Sequence, residues 1–165
     1  MPDPSPTVAL LVGPSGAGKT AVGRALAAEL GWAFEDADAY HSAEAVDKMA
    51  RGAGLTDADR APWLARLAEL IADRVGRSEP TVLACSALKA RYRQRLVRPG
   101  VAVVWLDASE RALAERLAAR SGHFAGPELL ASQLAAFEPP ADALRVDAER
   151  PVGAVVAAIR QGLGV

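Results

Sequence analysis

The chain has 165 residues, a formal net charge of −1 and one cysteine, Cys85. This length suits one domain with one sizeable core, and the near-neutral charge gives no electrostatic reason to expect nucleic acid or an anionic membrane as a partner. A single cysteine excludes an internal disulfide, residues 1–7 lack the features of a signal peptide, and no stretch is apolar enough to span a bilayer. A cytoplasmic location is therefore predicted.

The hydrophobic pattern predicts alternating strands and helices. Apolar, β-branched runs predict strands at 7–12, 32–36, 81–85, 101–106 and 143–147. The segments between them predict helices near 19–30, 42–51, 62–75, 87–97, 109–120, 127–137 and 151–163. Ser42, Thr56 and Ser109 are expected to cap helices, and Pro62 is expected in a first helical turn. This alternation predicts an α/β fold, with a parallel sheet covered by helices on both faces, in one domain at 8–165 behind a flexible tail at 1–7.

The segment LLVGPSGAGKT, residues 10–20, has the pattern of a phosphate-binding loop. It fills every fixed position of G-x-x-x-x-G-K-[ST] and lies between a predicted strand and a predicted helix. Its glycines let backbone N–H groups surround an anion, and the helix N-terminus adds its positive end. Lys19 would reach the outer phosphates and Thr20 would place its hydroxyl on Mg²⁺. The loop is therefore expected to hold a nucleoside triphosphate through Gly13, Pro14, Ser15, Gly16, Ala17, Gly18, Lys19 and Thr20.

The loops beyond the other predicted strands favour a small-molecule kinase over a nucleotide-dependent switch. The sequence contains no Asn-Lys-x-Asp element to recognise guanine. A kinase needs an acceptor pocket beside the phosphate loop and a lid that excludes water. Residues 35–75 provide the candidate acceptor-binding region, and residues 109–140 provide the candidate lid. In a parallel sheet, these ligand-binding segments would meet beyond the carboxyl ends of the strands.

Asp36 and Asp38 close the second predicted strand and are candidates for catalytic work. In an extended chain, residues two apart point the same way, so both carboxylates could serve one site. One could hold water on Mg²⁺, and the other could orient or deprotonate an acceptor hydroxyl. The alternative is a polar turn that closes the strand. For Lys48 and Arg51, three residues apart on one predicted helix, a solvated face is the simpler interpretation.

The segment CSALKARYRQRL, residues 85–96, is a second source of acceptor contacts. Ser86 follows the third predicted strand closely enough to reach a bound ligand. Lys89 and Arg93 share one face of the predicted helix, and two further arginines share another. Spacing leaves open which face meets an acidic acceptor. Cys85 ends a buried strand and is interpreted as a small core residue.

Arg116 and Arg120 lie one turn apart on a predicted helix that ends at Gly122–His123. Arginines that reach over the triphosphate would stabilise the dispersed charge of a phosphoryl-transfer transition state. The alternative is an exposed amphipathic helix whose arginines remain in solvent. Periodicity alone does not choose between the two.

A series of motifs resembles the gluconokinase family. DADAYH, KMARG, LTDADRAPWL, CSALKARYR, RLAARSGHF, LLASQ and VDAERP follow GPSGAGKT in this order. The resemblance covers nearly the whole chain. It implies the three-layer P-loop kinase fold of nucleoside-monophosphate and shikimate kinases, with a five-stranded parallel sheet in the order 2-3-1-4-5 and a helical lid. It also implies transfer of the ATP γ-phosphate to the 6-hydroxyl of D-gluconate, with Mg²⁺, in a possible homodimer.

The resemblance further implies roles for individual residues. Lys19, Asp38 and Arg120 would be catalytic, and Arg116 would be a second arginine on the nucleotide. Thr20 and Asp36 would serve the metal, and the VDAERP turn would lie near adenine. The expected gluconate contacts are Asp38, His41, Arg60 and Lys89. The alternatives are a kinase for another small polyol acid, shikimate-like or another aldonate, and a nucleotide-binding switch.

Overall fold

The computed structural model describes residues 4–120 and 127–165. Within these residues, five strands form one parallel sheet in the order 2-3-1-4-5, as predicted. The strands are β1 (Val8–Val12), β2 (Ala33–Asp36), β3 (Thr81–Ala84), β4 (Val101–Asp107) and β5 (Leu144–Asp147). The sheet confirms the α/β class.

Helices cover both faces of this sheet. Those described are α1 (Lys19–Leu30), α2 (Ala43–Ala50), α3 (Asp57–Gly76), α4 (Ala90–Leu96), α5 (Glu110–Ala119), α6 (Pro127–Ala136) and α7 (Val152–Leu163), with a 3-10 helix at Ala37–Tyr40 after β2. The predicted caps are confirmed, because the side chains of Ser42, Thr56 and Ser109 each accept a backbone N–H of the first turn. None of the helices in the described ranges is long and apolar enough to cross a membrane.

The central strand β1 divides the core into two layers. Ala9 and Leu11 pack in a cluster with apolar side chains of α1, α5 and α7. The alternate residues Val8, Leu10 and Val12 pack against α3 and α4 on the other face. All five are buried, which explains why this strand is apolar throughout instead of alternating with polar residues. The sheet is thus the middle of three layers.

Helix α3 begins earlier than predicted. The Thr56 hydroxyl accepts the N–H of Asp59 at 3.1 Å, and the Asp59 carboxylate accepts the N–H of Thr56 at 2.8 Å, forming a capping box. Pro62 is therefore the sixth helical residue, and its predicted place in the first turn is wrong. The missing N–H of Pro62 falls in the helix interior, where a proline is normally costly, so the capping box and core packing outweigh it.

Two other helix boundaries differ from the prediction. Helix α4 starts at Ala90 and not at 87, because Ala87 has a left-handed backbone with φ 38° and Lys89 is extended. Helix α5 ends at Ala119, and Arg120 has extended dihedral angles of −79° and 126°. Arg120 therefore leaves the helix that carries Arg116. The predicted helix end at Gly122–His123 lies outside the described residues.

Arg93 is a buried arginine that joins two segments of the scaffold. Its guanidinium donates to the carbonyl oxygens of Ala87 at 2.8 Å and Leu88 at 3.0 Å, and also to that of Glu138. The Glu138 N–H in turn donates to the Leu88 carbonyl oxygen at 2.8 Å. Arg93 thus holds the loop after β3 against the segment after α6. It does not share an acceptor-facing surface with Lys89, which occupies the N-cap position of α4 and makes no side-chain capping bond.

We predict that Arg93→Met lowers the free energy of unfolding by about 3 kcal/mol, because three carbonyl oxygens lose a charged donor inside the protein. Urea denaturation measures the change. Arg95→Met is the matched control, since Arg95 is exposed on the same short helix. Equal effects of the two substitutions would contradict a structural role specific to Arg93.

Candidate active site

A cavity of about 100 Å³ opens beyond the carboxyl ends of the central strands. It lies between the phosphate loop, the end of β2 and the loop after β3. The residues that line it are Ser15, Gly16, Gly18, Lys19, Thr20, Asp36, Asp38, Ala84, Ser86 and Arg120. Residues that are distant in sequence therefore meet at the sheet edge where the fold predicts a ligand.

The phosphate loop needs glycine at specific positions. Gly16 and Gly18 have φ values of 89° and 93°, which residues with a side chain rarely adopt. A Cβ atom at Gly16 would also lie 3.1 Å from the backbone oxygen of Leu113 in α5. At Gly13 it would lie 3.0 Å from the backbone oxygen of Leu106 in β4. The loop is thus shaped by its own dihedral angles and by close contact with neighbouring backbone.

Lys19 lies inside this loop with its ammonium turned back onto backbone oxygens. Its Nζ donates to the carbonyl oxygens of Gly13 at 2.8 Å and Pro14 at 3.0 Å. Burial lowers the pKa of Lys19 to about 8, and the nearby carboxylate of Asp38 is the largest opposing influence. A bound polyanion would favour the protonated form. The cavity is therefore suited to a negatively charged group beside Lys19.

Asp36 and Asp38 both line the cavity, although not for the predicted reason. β2 ends at Asp36, and Asp38 belongs to the following 3-10 helix, so the pair does not continue one extended strand. The carboxylate of Asp36 accepts the N–H of Asp38 at 3.0 Å. This bond turns the chain and brings the second carboxylate to the same opening.

The pKa of Asp38 is raised, first because surrounding protein displaces water from the carboxylate and second because Asp36 is close. Lys19 and His41 act in the opposite direction. The residue still has an exposed surface, so solvent moderates these influences. Asp38 is therefore a carboxylate with increased proton affinity that an acceptor can reach.

Thr20 and Asp36 supply oxygen atoms suited to Mg²⁺. The Thr20 hydroxyl donates to the Asp36 carboxylate at 3.3 Å, so both oxygens face the same point next to Lys19. Within the described residues, no group of three or more His, Cys, Asp or Glu side chains could hold a metal alone. A hydroxyl and one carboxylate fit an ion that keeps several waters and takes its remaining ligands from phosphate, as Mg²⁺ does.

The two candidate arginines have different positions. Arg120 lines the cavity. Arg116 instead donates to the carbonyl oxygens of Gly16 at 3.1 Å and Ala17 at 3.3 Å, and to that of Ala148. Arg116 therefore braces the phosphate loop against the turn after β5, part of the VDAERP segment. Its guanidinium is used for backbone oxygens in this structure.

The other predicted acceptor contacts, His41, Arg60 and Lys89, lie outside the lining of this cavity. The His41 ring stacks on Trp63, with centroids 4.4 Å apart and planes 11° apart. Arg60 donates to the Leu55 carbonyl oxygen at 2.8 Å and to the Tyr92 hydroxyl at 3.3 Å. The structure therefore groups Arg60 with the aromatic ring of Tyr92, outside the lining of the cavity.

Asp57 is the centre of this neighbouring group, and the sequence analysis did not identify it. Its carboxylate accepts from Arg91 and from the Tyr92 hydroxyl, and lies 3.5 Å from the Lys89 ammonium. These bonds hold the pKa of Asp57 below its usual value, with the Tyr92 hydroxyl as the largest influence. In this structure the Asp57 carboxylate is therefore the partner of Lys89, Arg91 and the Tyr92 hydroxyl. The signal in the sequence was the first aspartate of LTDADRAPWL.

Gln133 is a second contact that sequence reasoning missed. Its side-chain oxygen accepts the N–H of Ser15 at 2.7 Å, and its side-chain nitrogen donates to the Ser15 hydroxyl at 2.9 Å. Helix α6 is thereby joined to the phosphate loop. The motif LLASQ contained this glutamine, but its spacing carried no indication of a partner 118 residues away.

Comparisons with known proteins show which family this chain resembles. A family model described as an AAA domain matches residues 8–140. A probable gluconokinase of Mus musculus is 40% identical over 181 residues, which cover 96% of this chain and 98% of that protein. A gluconokinase of Gluconobacter oxydans (strain 621H) is 44% identical over 150 residues, covering 88% of this chain and 84% of the relative.

Solved structures extend the likeness to three dimensions. A crystal structure of a gluconokinase from Sinorhizobium meliloti 1021 has a TM-score of 0.87 at 41% identity, covering 96% of this chain and 92% of that one. A shikimate kinase from Bacteroides thetaiotaomicron has a TM-score of 0.68 at 18% identity, which shows the shared fold alone. The phosphate loop, the identity over nearly the full length and the common architecture together place this chain in the gluconokinase family.

Proposed function

We propose that the protein transfers the γ-phosphate of ATP to the 6-hydroxyl of D-gluconate, giving ADP and 6-phospho-D-gluconate. The observation that carries the proposal is the meeting of Lys19, Asp38 and Arg120 at one cavity beside the phosphate loop. Membership of the gluconokinase family supports the choice of acceptor. The P-loop kinase fold itself binds nucleotide.

Residues Gly13 to Thr20 bind the triphosphate in this proposal. The loop N–H groups and the start of α1 present positive charge to the phosphates. Lys19 exchanges its carbonyl partners for phosphate oxygens, and Arg120 stabilises the charge that spreads over the transferring group. Arg116 keeps the loop in its binding shape through the Gly16 and Ala17 carbonyls.

Asp38 orients the acceptor hydroxyl. The hydroxyl oxygen attacks the γ-phosphorus, the bond from phosphorus to the bridging oxygen breaks, and the hydroxyl proton passes to the Asp38 carboxylate. The raised pKa of Asp38 increases its ability to hold that proton. Because phosphoryl transfer has a loose transition state, positioning by Asp38 contributes more than its base strength.

Thr20 and Asp36 would hold Mg²⁺, Thr20 by its hydroxyl and Asp36 through water. Bound there, the ion would neutralise charge on the phosphate oxygens. His41 and Arg60, from the proposed acceptor region 35–75, and Lys89, just before α4, would contact the gluconate hydroxyls and carboxylate. The lid role of residues 109–140, the homodimer and the cytoplasmic location stay predictions.

The first test is an acceptor panel with ATP and Mg²⁺. D-gluconate is expected to give the highest kcat/KM among gluconate, glucose, shikimate, other aldonates and nucleoside monophosphates. Glucose should react poorly because it lacks a carboxylate to pair with the site cations. Coupled measurement of ADP formation gives the rates. A higher kcat/KM for another acceptor would make that compound, and not gluconate, the assigned substrate. ADP formation that no acceptor stimulates would contradict the proposal that the protein is a kinase.

The lowered pKa of Lys19 predicts pH-dependent nucleotide binding. The triphosphate favours the protonated lysine, so its affinity is highest below the pKa of the free site and falls as pH rises through about 8. Above that value, the Kd for a non-hydrolysable ATP analogue is expected to rise up to about tenfold per pH unit. Calorimetric titration measures this Kd. Gluconate is left out, so that the pH dependence reports nucleotide binding alone.

Lys19→Arg is the matched variant for this profile, because a guanidinium stays protonated throughout the range. Its affinity should be weaker than that of the wild type but independent of pH. Lys19→Ala should reduce kcat by roughly 10²-fold or more through loss of the cation. If Lys19→Arg kept the wild-type pH dependence, another group would be responsible.

The Asp pair predicts two different kinetic defects. Asp38→Asn preserves size but cannot accept the hydroxyl proton, so kcat should fall by roughly 10²–10⁴-fold with little change in ATP affinity. Asp36→Asn should instead raise the Mg²⁺ concentration needed for half-maximal rate. Steady-state titrations of Mg²⁺ and gluconate separate these effects. If Asp36→Asn lost turnover and Asp38→Asn only raised the Mg²⁺ requirement, the two roles would be reversed. If both variants turned over normally, the pair would be only a polar turn that closes β2.

A further inference from the structure

One face of α3 holds the 3-10 helix that carries Asp38. Trp63 and Arg66 are three residues apart and so lie on the same side of α3. The buried indole N–H of Trp63 donates to the Ala37 carbonyl oxygen at 2.7 Å, and Arg66 donates to the Tyr40 carbonyl oxygen at 3.0 Å. Helix α3 therefore binds the first and last residues of the 3-10 helix.

Trp63 makes a second contact beyond the end of this short helix. Its ring stacks on His41, with centroids 4.4 Å apart and nearly parallel planes. The Nδ1 atom of His41 is buried and has no hydrogen-bond partner among the described residues. Among the described residues, the stack on Trp63 is thus the contact that orients the ring at its Nδ1 side. A single tryptophan thus contacts the residue before Asp38 and the third residue after it.

Asp38 has little local support of its own. Its N–H donates to the Asp36 carboxylate, and its carbonyl oxygen accepts the His41 N–H at a long 3.5 Å. Four residues of 3-10 helix have poorer hydrogen-bond geometry than an α-helix and little intrinsic stability. Helix α3 instead holds the backbone on both sides of Asp38, at Ala37 and Tyr40.

We propose that Trp63 is a positioning residue for Asp38, acting through the Ala37 carbonyl and the His41 ring. The inference rests on the proposed function, since it assumes that Asp38 orients the acceptor. Displacing a catalytic group by about 1 Å can cost roughly 10²-fold in rate. Loss of the indole N–H removes the side-chain donor that ties the buried Ala37 carbonyl oxygen to α3, and the 3-10 helix then shifts with its carboxylate.

A tryptophan that merely fills the core would behave differently. Trp63 is 6% exposed and packs in the core cluster of α3 and α4, so its substitution lowers stability in either case. A core residue lowers the amount of folded enzyme or changes activity independently of Asp38. Substituting a positioning residue causes no further fall in kcat once Asp38 has been replaced, because both residues act on the same step.

The test is a double-mutant cycle of Trp63→Phe and Asp38→Asn. Phenylalanine keeps an aromatic ring for the stack but removes the N–H donor and part of the ring volume, so a control for the lost volume is needed. In the wild-type background, kcat should fall roughly 10-fold or more with the KM for ATP nearly unchanged. In the Asp38→Asn background, the further change should be within about twofold. Equal losses in both backgrounds would overturn the proposal, as would normal turnover of Asp38→Asn itself.

Trp105→Phe is the matched control, because it makes the same exchange on β4 in a side chain that packs against the same core cluster. It should leave kcat unchanged. Arg66→Met is the second variant should Trp63→Phe fail to fold, since Arg66 is exposed and its loss removes the Tyr40 contact without opening the core. It should lower kcat, and that effect should also vanish in the Asp38→Asn background.

Hydrogen exchange gives a readout that does not depend on turnover. Backbone amides at 37–41 should exchange faster in Trp63→Phe and Arg66→Met than in the wild type or Trp105→Phe. Unchanged exchange in both variants would overturn the positioning role. The cycle uses whichever acceptor the wild type phosphorylates best, so a wrong assignment of gluconate appears in the panel and leaves this result intact.

Discussion

The parallel direction of the strands is the constraint on which the site depends. β1, β2 and β3 all end at the same edge, so the loops that follow them share one opening. Lys19 at the start of α1, Asp36 at the end of β2 and Ser86 in the loop after β3 line one cavity. The fully apolar β1 at the centre is possible because helices cover both faces.

The chemistry of the site follows from placing opposite charges close together with little water. Burial weakens the hold of Lys19 on its proton, while the adjacent Asp38 carboxylate strengthens it. Each group is thereby prepared for a partner that the substrates bring: a polyanion for the ammonium and a hydroxyl proton for the carboxylate. Preorganised charges of this kind stabilise a transition state without reorganising during the reaction.

The arginines show how a sequence overstates the number of ligand contacts. Arg93 and Arg116 both had the spacing of ligand-binding residues, yet their guanidinium groups bind backbone carbonyl oxygens. Irregular loops next to a site leave such oxygens without partners, and a guanidinium with five donors can satisfy several at once. Charge density near a site therefore reflects loop support as well as substrate recognition.

The sequence by itself determined the alternation of strands and helices and the phosphate loop, because those features depend on local patterns: apolar runs, helix caps and glycines at fixed spacing. The family and the sheet order were indicated by the resemblance of the motif series to gluconokinases. It also indicated the Asp pair, although Asp38 reaches the cavity through a 3-10 turn and not along a strand. Only the tertiary structure decided the long-range pairs, such as Ser15 with Gln133 and Ala37 with Trp63. Such pairs join segments far apart in the chain, and their partners are chosen by packing geometry, which no local spacing encodes.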